Sequence, residues 1–215
     1  LLCAYFLKEA GVECLLLEGS RIGSGTVRHA MAQVTSQHGL IYSRLLETLG
    51  EEKARMYFEA NELALHKYRE LAASIDCDFE ERSSYIYSRT DKECIEREVR
   101  AASLLGMKAE FCETPELPFD TAGAVRFPAQ MNPVKFLYGL VKDIEKSDKV
   151  TIFEEMPVDD WINGTTWSGL YITIPKNIIC TTHFPFYKKA GGYNNKLYQN
   201  RSYIMALDHV PELHG

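Results

Sequence analysis

The stretch VECLLLEGSRIGSG, residues 12–25, decides how the rest of the chain is read. Val12–Leu17 is apolar almost throughout and has a strand's length, which suits a parallel strand covered on both faces. It ends abruptly in one carboxylate, Glu18, and Gly, Ser, Thr and Ala then dominate through residue 35. Upstream, residues 1–10 place Leu2 and Phe6 at helical spacing, and Gly11 supplies a C-terminal stop.

Helix, glycine, apolar strand and terminal acid, in that order, match the second half of a dinucleotide-binding βαβ unit. There the acid closing the second strand receives the ribose hydroxyls, about 20 residues after a GxGxxG loop. A carboxylate so placed accepts two hydroxyl hydrogen bonds at close range. The glycine loop would lie upstream of Leu1, so the chain reads as a fragment that starts in mid-helix. Glu18 taken alone also fits an acidic residue that merely opens a surface loop.

Bulk properties narrow the classes. With 215 residues, 46% of them hydrophobic, the chain can form one large domain or two small ones. A net charge of −6 without a basic block argues against nucleic acid as a partner. The apolar runs fall far short of the ~20 residues that cross a bilayer, so no membrane span is expected. Six cysteines (Cys3, Cys14, Cys77, Cys94, Cys112, Cys180) are scattered without a CxxC pair. They read as reduced thiols on apolar faces and point to the cytoplasm, which leaves the sequon at Asn163 incidental. No histidine pair has ligand spacing, so no protein-bound metal is expected. No Ser-His-Asp, Cys-His or paired-carboxylate arrangement emerges either.

Along the chain, Leu40–Leu49 and Glu51–Ile75 read as helices parted by Gly50, the second with Met56, Leu63, Leu71 and Ile75 apolar. The texture then changes. Phe79–Glu81 and Ser84–Ser88 read as antiparallel strands with a polar break between them. Asp91–Leu105 reads as a helix ended by Gly106, followed by strands at Met107–Cys112 and Ala122–Phe127. Pro133–Lys146 reads as a helix capped by Asn132. Val150–Glu155, Ile178–Thr181 and Tyr198–Leu207 read as further strands. The order predicts an α/β nucleotide domain interrupted by a mixed α+β substrate domain. The expected division is 1–39 and 146–185 for the first, 40–145 and 186–215 for the second. The chain is expected to return through Val150–Val158 and Ile178–Thr181 to the sheet of Val12–Leu17, with Cys180 near Leu16 on a neighbouring strand or across one intervening strand.

The segment GTVRHAMAQVTSQHGLIY, residues 25–42, resembles the loop after the second strand in flavoproteins of the D-amino-acid-oxidase-like superfamily. Within that superfamily it is similar to the branch whose flavin domain is joined to a Rieske iron–sulfur domain, with a pattern GTTGHTTAKxTxQHGLIY. Gly25, Thr26, His29, Ala32, Thr35, Gln37, His38, Gly39, Leu40, Ile41 and Tyr42 match it. EEKARMYFEAN, AVRFPAQMNPVKFLYGL, TTHFPF and KLYQNRSYIMAL carry the likeness across nearly the whole chain. Departures are Gln33 where the pattern has Lys, Arg28 and Met31 in place of smaller residues, and a shorter stretch between Val158 and Asn177. A Lys beside a flavin would stabilise negative charge on the reduced ring, whereas Gln33 can only donate a hydrogen bond. No CxH motif is present, and the single CxxH, Cys180–His183, has no partner motif, so any iron–sulfur cluster would belong to a domain outside these residues.

The resemblance implies an FAD-dependent oxidoreductase that moves a hydride from an amine or amino-acid-like substrate to flavin N5. It implies cofactor contacts from Glu18, Gly19, Ser20, Gly25, Thr26, Ala32, Gln33 and Val34. Val158 would offer backbone groups to the adenine, and Thr181 and Thr182 would lie near the phosphate-ribose region. His38, Arg201 and Tyr203 are the substrate-side candidates. An Arg on the last strand would pair a substrate carboxylate, although it also fits an edge-strand cation. His38 fits equally a loop or capping histidine. Two alternatives stay open: a cofactor-free binding module of the same fold, and an NAD-dependent enzyme. Without the glycine loop, these 215 residues alone are expected to hold little FAD. Substrate, electron acceptor and oligomeric state are not legible.

Overall fold

The computed structural model describes residues 1–30, 33–113, 119–130, 132–162, 165–184, 195–199 and 203. The chain forms two compact units, Leu1–His29 with Leu140–Leu207, and Ala30–Gly139 with Asp208–Gly215. Among the described residues no helix is long and apolar enough to cross a membrane.

The first unit begins with α1 (Leu2–Glu9), closed by Gly11 at φ +69°. β1 (Cys14–Leu17) then pairs in parallel with β5 (Val150–Phe153), in register from Cys14 opposite Val150 to Leu17 opposite Phe153. Parallel strands need a crossover; here it is the 132 residues of chain from Glu18 to Lys149. Ala4, Ile144 and Val150 form the local core, with Leu1, Tyr5, Cys14, Leu16 and Ile152 packed around it. Lys8 ties α1 to Asp143 by a charge-assisted hydrogen bond and also pairs with Glu9. Asp143 raises the Lys8 pKa, and Lys8 lowers that of Asp143.

Beyond β5 the chain makes a meander of β6 (Asp160–Ile162), β7 (Thr165–Ser168) and β8 (Tyr171–Thr173). Gly169, at φ +55°, supplies the turn between β7 and β8, and its N–H is held by Asp159 Oδ2 at 2.7 Å. A glycine at the first central position is what a two-residue type II′ hairpin demands.

The expected strand at Ile178–Thr181 is irregular, and among the described residues β1 and β5 pair only with each other. Two local facts oppose a strand. Ile179 is 59% exposed, so its apolar side chain has no covering face of the kind a parallel strand requires. His183 takes φ +65°, and Thr182 bonds Phe184 through both carbonyl and hydroxyl, so the segment closes a tight turn on itself. The last expected strand, Tyr198–Leu207, lies largely outside the described residues, and Tyr198, Gln199 and Tyr203 within it are irregular.

The second unit contains α2 (Tyr42–Leu49), α3 (Glu51–Ala72), β2 (Glu80–Ser88), α4 (Lys92–Leu105), β3 (Glu110–Cys112), β4 (Gly123–Gln130) and most of α5 (Pro133–Ile144). Gly50, at φ +81°, separates α2 from α3. The buried residues of α3 are Ala54, Phe58, Leu65, Leu71 and Ala72. Met56 and Leu63 are exposed instead, because the helix turns the 54–58–65–72 stripe to the core. α4 is capped as its sequence suggests: Asp91 accepts from the Cys94 N–H at 2.9 Å, and Gly106 adopts the left-handed conformation. Met107 donates back to Ala102 and packs on the helical core, so β3 starts only at Glu110 rather than at Met107. Asn132 accepts from the Val134 and Lys135 N–H groups at the head of α5.

The antiparallel sheet has the order β2–β4–β3. Its first strand is continuous where two were expected, because a register shift between Glu80 and Ser83 absorbs the polar break as a bulge. Gly123, at φ +153°, sits under the Phe111 ring, which an added Cβ would meet at 2.6 Å. Of the six thiols only Cys77 is buried. Cys3 and Cys180 are exposed, contrary to the expectation of core thiols: Ala4 is the buried residue of α1, and Cys180 lies in the irregular segment.

Candidate functional site

The carboxyl end of β1 carries the first candidate. The N–H of Glu18 completes the parallel ladder on Phe153 O at 2.9 Å, and its carbonyl accepts from Met156 N–H at 2.8 Å. Glu155 N–H bonds Ser20 O at 2.7 Å, and a Cβ on Gly19 would stand 3.7 Å from Pro157. Ile22 N–H is held by Glu154 Oε1 at 2.6 Å, and Arg21 pairs with Glu155 at 3.1 Å. The loop after β1 is thus laid along the segment after β5. Glu18 is half-buried, and its Oε1 accepts from Ser20 N–H at 3.0 Å. Among the described residues its Oε2 has no hydrogen-bond partner, and neither the N–H nor the carbonyl of Val158 is used. Among the described residues this edge therefore leaves a carboxylate oxygen of Glu18 and the backbone groups of Val158 without partners. Such a set can receive vicinal hydroxyls and an aromatic base edge.

The remaining residues expected in this unit are less constrained. A Cβ added at Gly25 would meet nothing within 4 Å among the described residues, and Thr26 starts a single 3-10 turn, Thr26–His29. Thr181 and Thr182 are exposed, Thr182 being engaged with Phe184 and with the Cys180 thiol at 3.3 Å. Tyr203 is 89% exposed. Ala32 and Arg201 lie outside the described residues.

The second unit holds the continuation of the small-residue loop. Gln33 donates to Ser84 Oγ on β2 at 2.6 Å, and Val34 is half-buried. Ser36 and Gln37 are buried, whereas His38 is exposed with its Nδ1 2.8 Å from the Tyr57 hydroxyl. Tyr42, fully buried, donates its hydroxyl to Ser36 O, and burial is the chief reason its phenol is pushed far up.

One residue here escaped the sequence reading. Glu98 is fully buried on α4 and accepts from Gln37 Nε2, Tyr42 N–H and Ser43 N–H at 2.6, 2.8 and 2.9 Å. The signal was present: Ile95, Glu98, Ala101, Ala102 and Leu105 form one helical stripe, and a charge stands in the middle of it.

The chain thus combines a parallel strand pair whose first strand ends in an acid with a separate antiparallel α+β unit. The chain belongs to the FAD dependent oxidoreductase family DAO, whose model matches residues 1–214. It is 30% identical to YhfW of Bacillus subtilis, named as a Rieske 2Fe-2S iron-sulfur protein, over 95% of this chain. The fold is similar to that of glycine oxidase from Geobacillus kaustophilus, with a TM-score of 0.62 and 16% identity over 80% of this chain. L-proline dehydrogenase from P. horikoshii matches with a TM-score of 0.58 and 14% identity over 79% of this chain. The chain spans 42% of the length of YhfW, and 49% and 46% of the two solved chains.

Proposed function

We propose that the protein containing this chain is an enzyme, an FAD-dependent oxidoreductase acting on a small amine or amino-acid-like substrate. The observation that carries the reading is Glu18, a carboxylate at the end of a parallel strand with one oxygen unspent among the described residues. The residues present fit the adenosine half of FAD. Glu18 Oε2 accepts from the ribose hydroxyls while Ser20 N–H holds Oε1, and the Val158 backbone meets the adenine edge. Gly19 leaves the backbone bare beside that contact. The bound flavin supplies hydride acceptance at its N5. Gly25, Thr26, Ala32, Gln33 and Val34 belong to the cofactor by family resemblance, as do Thr181 and Thr182. Gln33, already donating to Ser84, offers the ring no positive charge.

The amine class is supported by the names of the structural neighbours, a glycine oxidase and an L-proline dehydrogenase. The YhfW name supports transfer of electrons onward to a Rieske cluster in a further domain, with oxygen as the other acceptor. Residues 1–39 and 146–185 serve as the cofactor domain, 40–145 and 186–215 as the substrate domain. His38, Arg201 and Tyr203 face the substrate, with no nucleic acid involved. The test is the flavin content of the full-length protein, read from the visible spectrum after denaturation. Stoichiometric FAD supports the reading; bound NAD, or no cofactor after reconstitution with excess FAD, ends it.

A further inference from the structure

Glu98 is a carboxylate with no exposure, on a helix face otherwise lined by Ile95, Ala101, Ala102 and Leu105. Removing a charge from water is costly unless every lone pair is used. Here the charge meets the first two amides of α2, Tyr42 and Ser43, which otherwise lack partners at a helix start. α2 has no side-chain cap of its own, since Ile41 stands at that position. A Ser or Asp at position 41 would cap the helix locally at far lower cost. The tertiary solution does something a local cap could not: the same carboxylate also holds Gln37.

Gln37 is the centre of the turn. Its Nε2 bridges Glu98 and Gly39 O, both at 2.6 Å, and its N–H bonds Thr35 Oγ1 at 3.0 Å. Ser36 is fixed on either side, its hydroxyl by Glu62 and its carbonyl by Tyr42. The amide cannot be turned over, because Nε2 serves two acceptors, and Oε1 is left buried without a partner among the described residues. An unpaired buried acceptor is a stability loss, tolerated where geometry matters more than stability. Within this locked turn, His38 is the side chain that points to solvent, steered by Tyr57.

We propose that Glu98 is a positioning residue for the substrate side of the flavin site. Its buried carboxylate sets the Thr35–Gly39 turn and thereby the stance of His38. The inference rests on the preceding functional reading for its flavin side, and on the hydrogen bonds alone for the turn.

The experiment uses the full-length, FAD-loaded protein with Glu98→Gln, which keeps the shape but loses the charge and one acceptor. Gln37→Met is the companion variant, for it cuts the link to the turn while leaving Glu98 on the α2 amides. Hydrogen exchange is mapped by mass spectrometry, and sulfite is titrated onto the bound flavin as a probe of the ring's surroundings. In both variants residues 35–43 are expected to exchange at least tenfold faster, with β2 and β4 unchanged. Sulfite affinity is expected to shift at least fivefold at full FAD occupancy. A uniform rise in exchange over the whole unit would reduce Glu98 to a stabiliser and overturn the proposal. Local loosening with unchanged sulfite affinity would overturn its flavin side. A wild-type protein that holds no flavin would end the functional reading and that side with it, while the exchange map still passes judgement on the turn.

Discussion

Glu18 and Glu98 are the same side chain in opposite settings. Glu18 follows β1 half-buried, accepts one backbone N–H and, among the described residues, has no partner on its other oxygen. Glu98 is fully buried and spends both oxygens on three donors of its own chain. A carboxylate meant for a ligand must remain under-bonded and reachable. One meant to organise a turn must be saturated, because any open valence in the interior costs stability. Burial and unspent hydrogen-bonding capacity, taken together, therefore separate a binding acid from an organising one.

The largest effect is expected from Glu98→Ala. Three buried donors lose their acceptor, and truncation leaves a void, for a loss of about 3–5 kcal/mol in urea unfolding. A loss within experimental error would place the three N–H groups on water and dissolve the contrast. Glu18→Ala, on the other side, leaves stability within about 0.5 kcal/mol. It weakens FAD binding by about 1.5–3 kcal/mol, the range for hydrogen bonds to a charged group. Fluorescence titration of apoprotein with FAD reads this directly; equal affinities in mutant and wild type would make Glu18 an ordinary surface acid.

Two further variants sharpen the comparison by acting as local controls. Gly123→Ala drives a methyl into the Phe111 ring at a backbone conformation glycine prefers, and overpacking of this kind costs about 1–3 kcal/mol. Its signature differs from that of Glu98, since the exchange of residues 35–43 stays slow until the unit unfolds. Asp143→Asn cuts the tie between α1 and α5 in the first unit, with an effect of at most about 1 kcal/mol for a partly exposed pair. Its sign with pH follows from the shifts. Asp143 is lowered by Lys8, so its contribution is present above the usual carboxylate pKa and fades as acid protonates it. Lys8 is raised, so its part persists below its ordinary pKa and is lost only in strong alkali. Denaturation midpoints of wild type and Asp143→Asn should converge in acid, and a constant gap would show that the pair is not the cause.

Much of the chain was legible because its signals are short-ranged. Gly11 after α1, Gly50 between α2 and α3, Asp91 and Gly106 at the ends of α4, and Asn132 before α5 each act within a few residues. Whether an apolar run becomes a strand is another matter. Cys14–Leu17 and Ile178–Thr181 look alike as text, yet one pairs with β5 and the other turns on itself. The meander of β6, β7 and β8 falls in the Val158–Asn177 stretch, where strands of only three or four residues carry too little pattern to be placed from the text. The exposed Met56 and Leu63 show the same limit on a helix, where periodicity admits a stripe that packing does not choose.

By itself the sequence determined the local grammar: where helices start and stop, where an apolar strand meets an acid, and which family that order belongs to. Those depend on backbone conformations and side-chain spacings that neighbours along the chain dictate. The return of the Val150–Val158 stretch to the sheet of β1 was expected and is seen, but tertiary structure alone decided that β5 lies directly beside β1, and that Glu98 reaches Gln37, 61 residues before it. It also decided how many donors among the described residues reach each of the two glutamates. Burial and pairing are properties of what comes together in space, and a carboxylate's chemistry is set by how many donors arrive there.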